Sequence, residues 1–181
     1  MGKFPTLFLL LALAAAVAAF FGAAHNQLSY SVGPDYFHAI KFAQFGIAAD
    51  TPPRLGAAFV GVQASWWMGV LVALPACIYG LITVPTARSY LAAGIGAIGL
   101  VFLLAIAAAF GGLILGLFAA DAAFLDDAIP IPQGVARGDF LRAALMHEAS
   151  YLGGGLGAIL AFWPMIRAKR RDTEIAAMRP S

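Results

Sequence analysis

The sequence predicts an all-α integral membrane protein: one domain, residues 1–181, folded as a four-transmembrane-helix bundle with a short interfacial helix in its first outer loop. Hydrophobic residues make up 62% of the chain and charged residues only 11%, whereas about a quarter of residues are charged in soluble domains. The mean hydropathy is +0.87. Four apolar runs approach or exceed the roughly 20 residues that cross a bilayer as a helix.

These apolar runs define the predicted spans and loops. We expect spans at residues 4–23, 66–84, 91–119 and 148–166, outer loops at 24–56 and 121–146, and a cytoplasmic tail at 167–181. The first run could also be a cleaved secretory signal. Its apolar core of about 18 residues exceeds the 7–15 of such signals, which favours an uncleaved helix. The second helix is expected to begin near Pro53, before its span, with Trp66 and Trp67 at the outer interface.

The first outer loop contains the predicted interfacial helix. Turns at Pro34-Asp35 and at residues 51–53 bound the segment DYFHAIKFAQFGI, whose apolar residues recur at three- and four-residue spacing. That spacing is typical of a short amphipathic helix at a membrane surface. The preceding QLSYSV alternates polar and apolar residues, which favours an extended segment.

The distribution of cations predicts the orientation of the bundle. With both termini in the cytoplasm, the cytoplasmic side holds Lys3, Arg88, Arg167, Lys169, Arg170, Arg171 and Arg179. The outer side then holds only Lys41, Arg54, Arg137 and Arg142. Because cations are enriched on the cytoplasmic side of membrane proteins, this orientation is favoured.

Three residues could form a metal or proton site on the outer side. His25 follows the first span, and His147-Glu148 precedes the fourth by about one turn, so the helix ends could bring them together. Imidazole with carboxylate suits a transition metal or a proton-handling pair. The alternative is that the histidines form hydrogen bonds to loop carbonyls and cap helix ends. No HExxH motif is present, and the cofactor that this site would hold is a transition metal.

A lipid or quinone site is a second alternative, near Trp66-Trp67 and Tyr151. Tyr151 would share one helical stripe with His147, Ser150 and Gly154, which could form the wall of an outward-opening site. Aromatic residues at a membrane interface are also expected without any ligand.

Several functional classes lack support. No Asp, Glu, Lys, Arg or His lies between positions 66 and 84 or between 91 and 120, whereas ion pumps and carriers of charged solutes place such residues at depth. No GxSxG motif occurs. The single Cys77 cannot form a disulfide within the chain. The chain has no basic stripe outside the tail, so nucleic-acid binding is not supported.

Two phrases, HNQLSYSVGPDYFHAIKFAQF (residues 25–45) and HEASYLGG (residues 147–154), resemble a poorly characterised group of small bacterial four-span membrane proteins. In that group a similar His- and Tyr-containing loop follows the first helix, and a His-containing SYLGG phrase opens the last. The resemblance implies a shared fold in a bacterial inner membrane and implies no activity.

Our leading hypothesis from the sequence is therefore a non-enzymatic inner-membrane protein. Its glycine-rich helices suit close packing in the bilayer, and its aromatic outer loop would recognise a membrane-protein partner or a second copy of the chain. The expected partners are thus the lipid bilayer and such a protein.

Overall fold

The computed structural model describes residues 2–118, 122 and 129–178, and this part of the chain is helical without any strand. The helices are α1 (Lys3–Val32), α2 (Pro34–Tyr36), a π-helical turn (Phe37–Lys41), α3 (Phe42–Gln44), α4 (Pro53–Thr83), α5 (Ala87–Phe118), α6 (Arg137–Leu160) and α7 (Phe162–Ala177). Within it, α1, α4, α5 and the combined α6–α7 segment are long and apolar enough to cross a membrane. The predicted four-helix membrane bundle is confirmed, and the chain is a multi-pass membrane protein.

The bundle consists of two tightly packed helix pairs. α1 lies closely against α4, and α5 lies closely against α6, whereas the two pairs contact each other more sparingly. Glycines make each pair close. A Cβ atom added at Gly22 would lie 2.8 Å from the Gly61 carbonyl carbon, and one at Gly112 would lie 2.7 Å from the Leu145 carbonyl carbon. Small residues at such crossings let helix backbones touch in a membrane.

Two apolar clusters close the bundle at its ends. The terminal end, which carries Lys3 and Val84, is filled by Leu10, Cys77, Tyr90 and Met165, among others. There the Lys3 ammonium donates a hydrogen bond to the Val84 carbonyl, at 2.9 Å.

The opposite end, which we call the loop end, is filled by Tyr36, Phe37, Ala57, Phe140, Ala143 and Ala144. The short helical segments of residues 34–44, which we call the strap, lie at this end. The predicted short helix of the first loop is therefore present as a series of helical turns.

The first helix is longer than its predicted span, so the predicted loop at 24–56 is wrong over its first nine residues. Residues 24–32 continue α1, including the segment that we expected to be extended. The alternation misled because Asn26 and Ser29 are polar but buried: they contact neighbouring helices instead of solvent. The helix ends only at Gly33-Pro34, where proline cannot continue the hydrogen-bonding pattern.

The other helices also extend beyond the predicted spans. α4 begins at Pro53 as expected, and residues 66 and 67 lie near its middle. α5 covers residues 87–118, close to the predicted 91–119. α6 begins at residue 137, inside the predicted outer loop 121–146. Of the rest of that loop, residues 122 and 129–136 are described and are not helical, and the others lie outside the described residues.

The predicted cytoplasmic tail, residues 167–181, is helical through Ala177. The helix that begins at residue 137 is interrupted at Ala161, and α7 then includes Pro164 and all of residues 167–177. Pro164 does not end the helix because it lies in the first turn of α7, where proline's missing N–H is no loss.

Candidate functional site

The structure brings His25 and His147 together at the interface of α1 and α6. Their ring centroids are 4.6 Å apart with the ring planes nearly perpendicular, at 89°. The Ser29 hydroxyl lies 3.2 Å from Nε2 of His147. Asn26 Oδ1 lies 3.3 Å from Nδ1 of His25, and the Asn26 amide donates to the Ala57 carbonyl at 2.9 Å. This polar network joins α1 to both α4 and α6.

The Nε2 atom of His25 has no hydrogen-bond partner in this network. Because the Asn26 amide nitrogen is committed to a carbonyl, its oxygen faces His25 as an acceptor, so Nδ1 carries the proton of the neutral ring. Nε2 is then an acceptor. The Met146 carbonyl near this ring is also an acceptor, and Nε2 is buried without a hydrogen-bond partner. A ligand could not reach this nitrogen unless the ring moved.

A cavity of about 230 Å³ lies between the two helix pairs, next to the histidines. Its wall is mostly apolar and includes Ala14, Val72, Ile98 and Phe102. On α1 the lining extends from residue 14 to residue 26, a helical rise of about 18 Å. That length is close to one leaflet of the hydrocarbon core, which is about 30 Å thick in total. The cavity is therefore long, apolar and roughly one leaflet deep.

The polar groups that line this cavity lie near its loop end, apart from the Ser65 hydroxyl. His25, Asn26, His147, Ser150 and Tyr151 line it there. Lys41 of the strap and Phe45, which directly follows the strap, also line the cavity. The cavity is thus amphipathic, with its polar groups concentrated at one end.

Lys41 is the cation at this polar end. Its ammonium nitrogen lies 3.2 Å from the Gln44 side-chain oxygen and 5.3 Å from the centre of the Tyr36 ring. Burial lowers the pKa of Lys41, and the negative charge of Glu148 opposes this change. Burial also raises the pKa of the Tyr36 phenol, so Tyr36 stays neutral. A partly buried lysine beside an apolar wall is costly unless its charge is compensated.

The residues predicted for a metal site are only partly assembled. Glu148 is exposed, whereas its neighbour His147 is 5% exposed, because successive side chains on a helix diverge by about 100°. Within the described part of the chain, no three His, Cys, Asp or Glu side chains form a group that could hold a metal ion. The metal hypothesis therefore stays a prediction that rests on two imidazoles.

The residues predicted for a lipid or quinone site have separate positions. Tyr151 lines the cavity, together with the His147, Ser150 and Gly154 of its predicted stripe. Trp66 and Trp67 do not line it. They are 52% and 44% exposed, on the side of α4 that faces away from the bundle, whereas the flanking Ser65 and Met68 line the cavity.

Sequence reasoning missed the contribution of the strap and of two polar residues on α1. Lys41 was assigned only to a surface helix, and Asn26 and Ser29 to a loop. One signal was available for Lys41, since it is the only basic residue other than histidine within the aromatic segment 25–45. No signal in one sequence could have shown that this segment folds onto the gap between two helix pairs.

Comparison with known proteins identifies no relative: no family model, no curated protein and no solved structure matches the chain.

Proposed function

We propose that this multi-pass membrane protein binds a single-chain, lipid-like amphiphile in the cavity between its two helix pairs. One observation carries the proposal: an apolar cavity about one leaflet deep has its polar groups concentrated at one end. Ligand pockets typically combine an apolar wall with a few convergent polar groups. The apolar chain would lie along α1, α4 and α5, and the polar group would lie beside the strap.

Glycine substitutions offer a matched test of this cavity. Gly154 lines the cavity, and a Cβ atom added there meets no heavy atom within 4 Å. Gly111 also has open space around its Cβ position but does not line the cavity. Gly154→Leu would therefore occupy ligand space without disturbing helix packing, and Gly111→Leu is its control.

We expect wild type and Gly111→Leu to retain one molecule of a long-chain monoacylglycerol or fatty acid in native mass spectrometry from non-ionic detergent. Displacing about two methylene groups, each worth roughly 0.8 kcal/mol, should weaken binding to Gly154→Leu about tenfold. Equal retention by Gly154→Leu and Gly111→Leu, or no retention by wild type, would overturn the proposal.

The cellular setting is also proposed. We infer a bacterial inner membrane with both termini in the cytoplasm, supported by the excess of cations at the terminal end, where Lys3 and Arg88 join the basic residues of α7. The strap and the polar end of the cavity would then face the outside.

Assembly with a membrane-protein partner or a second copy stays a prediction. Large apolar side chains such as Phe20, Leu103 and Ile159 are 63–70% exposed on the outer faces of the helices. A lipid-facing surface requires the same property, so this exposure does not favour a protein partner over lipid. Proton handling by His25 and His147 likewise remains a hypothesis.

A further inference from the structure

We propose that the cavity selects an anionic amphiphile, and that Lys41 of the strap is the residue that recognises its carboxylate or phosphate headgroup. This inference rests on the amphiphile binding proposed above and adds the chemical class of the ligand.

Among the residues that the structure describes, Lys41 has no carboxylate partner at hydrogen-bonding distance. Arg142–Asp139 and Arg171–Asp172 are the ion pairs found between described residues, and Lys41 takes part in neither. Its ammonium group instead contacts a neutral amide and the face of a neutral aromatic ring. Such contacts compensate a partly buried charge only in part, whereas an anion would form a charge-assisted hydrogen bond.

The remaining polar groups at this end are less suited to bind an anion. Nε2 of His147 is already paired with the Ser29 hydroxyl. Nε2 of His25 is buried in the wall, and its Nδ1 faces Asn26. Tyr151 lines the cavity and is half exposed, so its neutral hydroxyl could donate a second hydrogen bond to a headgroup.

The position of Lys41 in the chain fits this role. It is the last residue of the π-helical turn Phe37–Lys41, where the helix is wound more loosely than an α-helix. Such turns are frequent at functional sites because they redirect side chains. The aromatic residues Phe37 and Phe42 hold the strap against the loop-end cluster, which fixes Lys41 over the cavity.

Glu148 is the residue that opposes anion binding. It is exposed, and its charge acts on Lys41, Tyr36 and Tyr151 without forming an ion pair within the described part of the chain. Removing this charge should therefore strengthen the binding of an anion, and removing the charge of Lys41 should weaken it. Opposite effects of two nearby substitutions are not expected from a general loss of structure.

The test compares three ligands with the same alkyl chain: palmitate, hexadecyl phosphate and neutral hexadecanol. Purified full-length protein in non-ionic detergent at neutral pH is titrated with each, and retention is measured by native mass spectrometry. We expect the wild type to prefer at least one of the two anions to hexadecanol by about tenfold or more, the size of a charge-assisted hydrogen bond. The preferred anion distinguishes a carboxylate headgroup from a phosphate headgroup.

Four variants test whether Lys41 determines the preference for an anion over hexadecanol. Lys41→Met should lose it while retaining hexadecanol, Lys41→Arg should keep most of it, and Glu148→Gln should increase it a few-fold. Lys169→Met, which removes an exposed lysine at the terminal end, should behave as wild type. If Lys41→Met does not fold, Lys41→Arg and Glu148→Gln still test the sign of the effect.

The outcomes separate the two proposals. If the wild type retains none of the three ligands, amphiphile binding itself fails. Equal affinity for hexadecanol and both anions would leave amphiphile binding intact and overturn the selection of an anion. A preference for anions that persists in Lys41→Met, or an anion affinity that falls in Glu148→Gln, would overturn the assignment to Lys41.

Discussion

The closest helix crossing in the second pair gives a sharp prediction about stability. Gly112 and Gly111 are adjacent on α5, but only Gly112 touches α6. A Cβ atom at Gly112 would lie 2.7 Å from the Leu145 carbonyl carbon and 2.8 Å from Ala149 Cβ, whereas one at Gly111 would meet nothing within 4 Å. Alanine at either position gains the same intrinsic helix propensity, roughly 1 kcal/mol in water. The difference between the two variants therefore reports the crossing alone.

The structure sets the size of this difference. Ordinary contact of a Cβ atom begins near 3.4 Å, so relieving the 2.7 Å contact with the Leu145 carbonyl carbon requires the helices to separate locally by at least about 0.7 Å, and the nearer carbonyl oxygen requires more. A backbone carbonyl within a helix cannot move aside as a side-chain tip can. Overpacking of this kind costs about 1–3 kcal/mol, and we expect the upper half of that range.

Thermal unfolding of the purified protein in detergent measures the effect. For a chain of this length, 1 kcal/mol corresponds to about 2–4 °C, so Gly112→Ala should unfold about 5 °C or more below Gly111→Ala. Unfolding of both variants at the same temperature would refute the close α5–α6 crossing, because a change shared equally by both belongs to α5 in general.

Two further predictions concern the strap and the orientation of the bundle. Burial raises the pKa of Tyr36, so the stabilising contribution of its neutral phenol is complete below the unfolded value of about 10 and is lost as the pH rises through the higher folded value. We expect the fall in unfolding temperature at alkaline pH to be smaller for Tyr36→Phe than for wild type. An identical fall in both proteins would contradict this. The orientation can be tested with an impermeant maleimide in a Cys77→Ala background. The reagent should label Asp50→Cys in intact spheroplasts and Thr173→Cys only after permeabilisation. The reverse pattern would invert the proposed orientation.

The fold class could be predicted because it depends on a property that each segment carries alone. An apolar run of sufficient length has few alternatives to a membrane-spanning helix. The glycines of α5 and α6 likewise indicated close packing, and Gly112 and Gly153 both lie against the neighbouring backbone. Helix ends were harder to predict, because hydropathy marks where the lipid ends and not where the helix ends.

The candidate site was less accessible to sequence reasoning because it depends on how separate segments meet. The approach of His25 and His147 was expected because they lie near the ends of the predicted first and fourth spans, although both lie well inside the longer helices α1 and α6. Ser29, by contrast, looked like part of a solvent-exposed loop, although its hydroxyl is buried against His147. The cavity itself leaves no mark in the sequence, since it exists only where two well-packed helix pairs fail to fill the space between them.

The division into two pairs has a consequence for how this protein is made. Each pair joins helices that are successive membrane crossings in the chain, α1 with α4 and then α5 with α6, so each half can form as a hairpin during synthesis before the other is complete. The cavity, in contrast, comes into being only when the hairpins meet. A molecule that occupies it would hold the halves together, and its binding free energy would add to the stability of the finished protein by mass action. The proposed ligand would then also be a structural element, whose supply would determine how much of the newly made chain persists in the membrane.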